Sequence, residues 1–169
     1  MEWILNLLLF TVLFICLITD LKHRKIYNKV LFPAFFLALL LQPLLFGIDG
    51  VKSFFLGFFL GFGLLLIPYL MGGMGAGDVK LLAVIGAIKG PGFVLLTAFY
   101  MALIGGIIGI AIILFQKGIF KKLYYALSSM RYGIQLLMPD RDSMKRTFPY
   151  GVAIVGGACL SFLLNGVVM

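Results

Sequence analysis

The chain has 169 residues, of which 63% are apolar and 12% charged, with a net charge of +8. Soluble domains carry about 45–50% apolar and about 25% charged residues. The composition therefore excludes an ordinary soluble enzyme, a disordered chain and a disulfide-stapled secreted domain. A mean hydropathy of +1.15 points to an integral membrane protein. A spanning helix takes about 20 mainly apolar residues, so the length predicts about six spans in one membrane-embedded domain, residues 1–169. In so apolar a chain the basic excess reads as loops facing an anionic leaflet, with the lipid bilayer and not nucleic acid as partner. The two cysteines, Cys16 and Cys159, lie in apolar runs without metal-type spacing and read as small core residues.

The first apolar run, 3–19, stops at Asp20 and the basic stretch Lys22-His23-Arg24-Lys25, with Lys29 shortly after. Its opening, Met1-Glu2-Trp3, lacks the basic start and small-residue cleavage site of a signal peptide, so a retained span is expected. The second run, 30–48, contains Pro33 and Pro43. The turn Asp49-Gly50 leads to a third run, 53–71, carrying Gly57-x-x-x-Gly61. That spacing lets helices approach closely, although ordinary glycine abundance also produces it. Next come the glycine-dense residues 72–77, Asp78-Val79-Lys80, and a short apolar run, 81–88, closed by Lys89-Gly90-Pro91. A long run, 92–115, and a last one, 149–169, complete the set.

The segment between them, 116–147, is basic, and its apolar residues fall at Ile119, Leu123, Leu127, Met130, Ile134 and Leu137. Steps of three and four are helical periodicity. Too polar to span, this stretch is expected to form an amphipathic helix at the membrane interface between spans five and six. A soluble loop helix packed on the protein is the alternative. The predicted fold is thus an all-α membrane protein of six transmembrane helices, the fourth of them short.

Basic residues orient these spans. With the amino terminus outside, Lys22, Arg24, Lys25, Lys29, Lys80, Lys117, Lys121, Lys122, Arg131, Arg141, Lys145 and Arg146 face inward, and only Lys52 and Lys89 face outward. If run 81–88 instead dips in and returns, the basic residues divide nearly evenly. The positive-inside rule favours six spans, with both termini outside. From Asp78 to Lys89 the fourth helix is about 18 Å long at ~1.5 Å per residue, against a hydrocarbon core of about 30 Å. Either the bilayer thins there, or Asp78 and the glycines lie below the cytoplasmic surface. Irregular backbone at that depth is tolerated only where protein or a water-filled cavity covers it, so a hydrated cleft open to the cytoplasm is expected. A flexible inter-helix loop is the simpler reading of the same glycines.

Six acids occur: Glu2, Asp20, Asp49, Asp78, Asp140 and Asp142. Glu2 is terminal, Asp49 sits in an outer turn, and Asp140 and Asp142 lie in the basic segment. Asp20 and Asp78 each abut a span on the same side, and an ionisable residue at membrane depth is a functional candidate. Two neighbouring carboxyls share protons, so one ionised member can take a proton from water while the protonated one polarises a peptide carbonyl. Asp78, at the amino end of its helix, is favoured by the helix dipole as the ionised member; Asp20, near a carboxyl end, as the protonated one. The bland alternative makes both acids helix-end residues paired with Lys22, Arg24 or Lys80.

The stretch Gly75-Ala76-Gly77-Asp78-Val79-Lys80-Leu81-Leu82 resembles the G-x-G-D-V-K-L-L signature of type IV prepilin peptidases, which are membrane aspartyl peptidases. Asp20 followed by Ile26-Tyr27-Asn28 resembles that family's D-x(5)-I-P-N context, with Tyr27 in place of proline. Pro149-Tyr150-Gly151-Val152-Ala153 is similar to its late P-Y-G-x-A stretch. The resemblance covers nearly the whole chain except 116–147. It implies an endopeptidase that removes the short basic leader of prepilin-like precursors at the cytoplasmic face of the cell membrane. Asp20 and Asp78 would be the catalytic pair, activating water without a covalent intermediate, metal or cofactor. Gly75 and Gly77 would let an extended peptide approach the backbone, and Lys80, Asn28, His23 and Tyr150 would line or flank the cleft.

About ten residues separate the first two spans and no C-x-x-C is present. The chain therefore resembles the short members serving Tad/Flp-type pili or archaeal preflagellins, without the zinc-bearing insert linked to N-methylation. Presenilin-type GxGD proteases are a second enzyme reading, but their first aspartate sits mid-helix after tyrosine, whereas Thr19 precedes Asp20. A small proton- or cation-coupled transporter using the same aspartates is the alternative from another class. It would place acids near mid-bilayer and often carry repeat symmetry.

Overall fold

A computed structural model describes residues 3–23, 25–115 and 150–168. The chain divides into two compact units, Met1–Ile104 with Pro149–Met169, and Gly105–Phe148. Of the second unit the helical run 105–115 is described. Among the described residues the elements are helices: α1 (Trp3–His23), α2 (Asn28–Leu70), α3 (Ala76–Lys89), α4 (Pro91–Phe115) and α5 (Tyr150–Val168). Three of them, α1, α2 and α4 over Pro91–Ile110, are long and apolar enough to cross a membrane. The helix expected over 116–147 lies outside the described residues.

Helix α2 has 43 residues, which as one rod would be about 65 Å long at ~1.5 Å per residue. It is instead doubled back. The Phe35 ring lies 5.2 Å from that of Phe54 and 5.1 Å from that of Phe58, whereas a straight helix would hold Phe35 and Phe58 roughly 35 Å apart. The reversal is at Gly47, whose φ of 60° and ψ of −138° belong to a region that glycine enters without steric penalty. Pro43, four residues earlier, already weakens the helix by removing a backbone donor. The limbs 28–46 and 48–70 thus account for the second and third apolar runs. The second limb ends in a hydrogen-bonded cap. Gly72 N–H donates to Tyr69 O at 2.9 Å and Gly73 N–H to Pro68 O at 3.0 Å, with Gly72 at φ 76°. This paired arrangement satisfies the last carbonyls and turns the chain toward α3.

Helix α3 is the centre of the first unit. Val79 and every residue from Leu81 to Ile88 are buried, as a helix apolar on all sides must be. Its contact with the second limb of α2 runs backbone to backbone. A Cβ built on Gly57 would strike the carbonyl oxygen of Gly86, and one on Gly86 would strike that of Gly57. One turn on, a Cβ on Gly61 would lie 2.6 Å from Leu82 O. The Gly57-x-x-x-Gly61 spacing is therefore a helix-crossing device. The far end of α3 is tied by polar contacts. Gln42 Nε2 donates to Ile88 O at 2.7 Å, satisfying a terminal carbonyl. Lys89 Nζ donates to Asn6 Oδ1 of α1 at 2.8 Å. Helix α5 crosses α4 the same way, a Cβ on Gly157 falling 2.7 Å from both Thr97 O and Met101 N.

These contacts make a sharp contrast between glycines. Gly57→Ala and Gly86→Ala each force α2 and α3 apart and are expected to lower the Tm of the detergent-purified protein, at a cost of at least about 1–3 kcal/mol from overpacking. Gly63, with nothing within 4 Å of a built Cβ, is expected to accept Ala without loss. Equal Tm values for Gly57→Ala and Gly63→Ala would contradict the packing described.

Candidate active site

The buried positions of α1 are Leu5, Leu9, Val12, Leu13, Cys16 and Asp20. They recur at the three- and four-residue steps of one helix face, so Asp20 occupies the last core-facing position of a helix whose other core residues are apolar. It is 6% exposed. Asp78 is 9% exposed and is the third residue of α3, whose N-cap is Gly75. Its Oδ2 accepts the Gly75 N–H at 3.1 Å, and its own N–H donates to Gly75 O at 3.1 Å. An acid at the third helical position commonly reaches back to the N-cap amide in this way. With glycine as the cap residue, there is no side chain to return the bond. The amides and dipole at this helix end act in favour of an ionised carboxylate, and burial acts against it.

The carboxyl end of α1 and the amino end of α3 bring the two aspartates together, near enough for their charges to act on each other. A third element closes on them. A Cβ built on Gly151, at the start of α5, would lie 2.5 Å from Asp20 Oδ2 and 2.7 Å from its Cγ. Helix α5 thus lays bare backbone against the Asp20 carboxylate, and Tyr150, half-buried, stands one residue before it. A fourth contact joins the loop after α1, since a Cβ on Gly77 would meet the Ile26 Cβ at 3.0 Å. Asp20, Asp78, Gly75, Gly77 and Tyr150 therefore lie at one end of the unit, around the junction of α1, α3 and α5.

Asn28 and Lys80 belong to the same end but another face. Two residues apart on a helix point roughly 200° away from each other, so Lys80 projects away from Asp78. Its Nζ donates to Asn28 Oδ1 at 3.2 Å. Below this pair a groove of about 210 Å³ opens, walled by Phe32, Phe35, Phe58 and Phe62. The His23 ring packs edge-on against Tyr27, 6.2 Å between centroids. A second cavity, about 280 Å³, lies at the opposite end beside Gln42 and Lys89.

Sequence reasoning met Gly151 and Ile26 only as members of family-like stretches and gave neither a place in the site. Ile26 carries no polar chemistry, and nothing in the sequence pairs it with Gly77. Gly151 had a signal, being the glycine directly after Tyr150, but its purpose emerges only once α5 is seen against Asp20.

Residues 7–110 match the type IV leader peptidase family. The chain is also similar to the prepilin leader peptidase/N-methyltransferase of Bacillus subtilis (strain 168), 33% identical over 158 residues. That alignment covers 90% of this chain and 52% of the relative, so the chain spans about half the length of the curated protein it matches. No solved structure matches it. The matched region holds α2 and α3 complete and α1 from residue 7 onward, with Asp20, Gly75, Gly77 and Asp78, and the chain belongs to the type IV leader peptidase family.

Proposed function

We propose that the protein is a membrane-embedded aspartic endopeptidase that removes the basic leader of prepilin-like precursors. The observation that carries this reading is the convergence of two buried carboxylates, Asp20 from α1 and Asp78 from α3. Membership of the family supports the same assignment. In this mechanism Asp78, with Oδ2 occupied by the Gly75 amide, takes a proton from water through Oδ1. Asp20, protonated, donates to the scissile carbonyl as the tetrahedral centre forms. The proton count belongs to the pair, and no covalent enzyme intermediate, metal or cofactor is needed. Gly75 gives an extended leader access to backbone and Tyr150 closes the third side, whereas the bare face of Gly77 is taken up by Ile26 and Asn28 and Lys80 stand on another face.

The chain is proposed to cross the membrane six times: once in each limb of α2 and in each of the other four helices. Helix α3 has 14 residues, or about 21 Å at ~1.5 Å per residue. It falls short of a hydrocarbon core of about 30 Å, which leaves its amino end and Asp78 below the membrane surface, where a leader peptide meets its transmembrane helix. The distribution of basic residues supports a cytoplasmic location for that end and an outer location for both termini. A transporter relay is the weaker reading, because its acids would be distributed through the membrane depth, whereas Asp20 and Asp78 share one end. The short form without C-x-x-C motifs is assigned to Tad/Flp-like systems and to cleavage without N-methylation.

Asp20→Asn and Asp78→Asn, each co-expressed with a candidate precursor, are expected to slow leader removal by at least about 10³-fold, in the range of a lost general acid or base. Wild-type processing by either variant would refute the pair. The rate should rise and then fall with pH, since Asp78 must be ionised and Asp20 protonated; a flat profile counts against this division of roles. Gly151→Ala, which displaces the Asp20 carboxylate, should cost about 10²-fold in kcat, the scale of a misplacement near 1 Å, with little change in KM. Mass spectrometry of the product should show a free, unmethylated new amino terminus. Sidedness is read by an impermeant thiol reagent on a chain lacking Cys16 and Cys159. Lys52→Cys should react in intact cells and Lys25→Cys only after permeabilisation; the reverse pattern would overturn the topology.

A further inference from the structure

The groove beneath Asn28 and Lys80 plays no part in the proteolysis just proposed, and its chemistry is distinct. Its walls are phenylalanines from both limbs of α2, and its floor is Ala83 and Val84 of α3. Phe32, 58% exposed, opens it toward the outside of the bundle. At its lip stands the exposed Lys80 ammonium. Of its three donors, one is directed to the neutral Asn28 Oδ1. Among the described residues no carboxylate pairs with it. Lys22, Lys25 and Lys29 are exposed at the same end, while the two acids there, Asp20 and Asp78, are buried on the other side of α3. The rim therefore presents positive charge to whatever approaches it.

The apolar walls suit a hydrocarbon chain, and charge decides what it belongs to. A basic leader would be repelled by the lysine rim, whereas a phosphate would find unused ammonium donors in a setting where charge-assisted hydrogen bonds are strong. We infer that this groove is a seat for one anionic phospholipid, its acyl chain between Phe32, Phe35, Phe58 and Phe62 and its phosphate on Lys80. The site is separate from the carboxylate pair and does not depend on the peptidase assignment.

The test is native mass spectrometry of the full chain released from micelles containing phosphatidylglycerol or phosphatidylcholine, without any precursor. Wild-type protein should retain one phosphatidylglycerol in preference to phosphatidylcholine. Lys80→Gln should reduce that preference about tenfold, the scale of one hydrogen bond to a charged group, and Lys80→Arg should restore it. Phe32→Asn, at an exposed wall position that the fold does not need, should weaken retention of both lipids. Lys52→Gln, at the opposite end, should change nothing. Undiminished phosphatidylglycerol retention by both Lys80→Gln and Phe32→Asn would overturn the proposal. So would a finding that both variants leave lipid retention intact while raising KM for a precursor, which would make the groove a seat for the substrate helix.

Discussion

Helix α3 has apolar residues on every side, and such a helix holds its place only if the rest of the chain surrounds it. The arrangement of the first unit follows from that constraint. The second limb of α2 lies against it at glycine distance through Gly57, Gly61 and Gly86, so backbone van der Waals contact replaces side-chain interdigitation. In a membrane, where lipid tails are as apolar as leucine, close packing of this kind is a main source of helix association. Gln42 and Lys89 tie the far end of α3 to polar groups on α2 and α1. With one end tethered and one face fitted without slack, the depth of the other end, and so of Asp78, is set.

The carboxylate pair inherits this rigidity. Asp78 is placed by the register of α3 and by its bond to the Gly75 amide. Asp20 is placed by a core stripe on α1 that begins at Leu5 and by the bare backbone of Gly151. Neither carboxylate stands on a loop. Burial of two acids side by side is unfavourable for folding, because like charges in a poorly solvated place oppose each other's ionisation. Groups held in that state are a signature of functional sites. The glycines around them serve separate ends: Gly72 turns the chain, Gly75 caps α3 and Gly77 admits Ile26.

Much of this is legible in the sequence. The helical, membrane character follows from composition, and the two aspartates stand out because charges are so few. Helices α1 and α3 contain the apolar runs 3–19 and 81–88 but extend beyond them, α1 to His23 and α3 back to Ala76 in the glycine stretch. The doubled-back α2 also matches two predicted runs, yet the turn falls at Gly47, ahead of the Asp49-Gly50 dipeptide expected to make it, because only Gly47 takes a positive φ there. The role of Gly57-x-x-x-Gly61 is ambiguous in sequence because its partner, Gly86, belongs to another helix. The same is true of Gly151 and Asp20, which lie at opposite ends of the chain. Spacing within one helix is visible in a sequence, whereas a contact between a glycine and a distant carboxylate needs the fold.

The central claim is that Asp20 and Asp78 act as one unit. Residues that cooperate in a single step are grossly non-additive when removed together, so the decisive measurement is the leader-cleavage rate of the double variant Asp20→Asn/Asp78→Asn beside the two single variants. A pair acting as one unit predicts a double variant no slower than the slower single variant. Losses that multiply, each removal costing its full factor in the absence of the other, would show two independent contributions and contradict it.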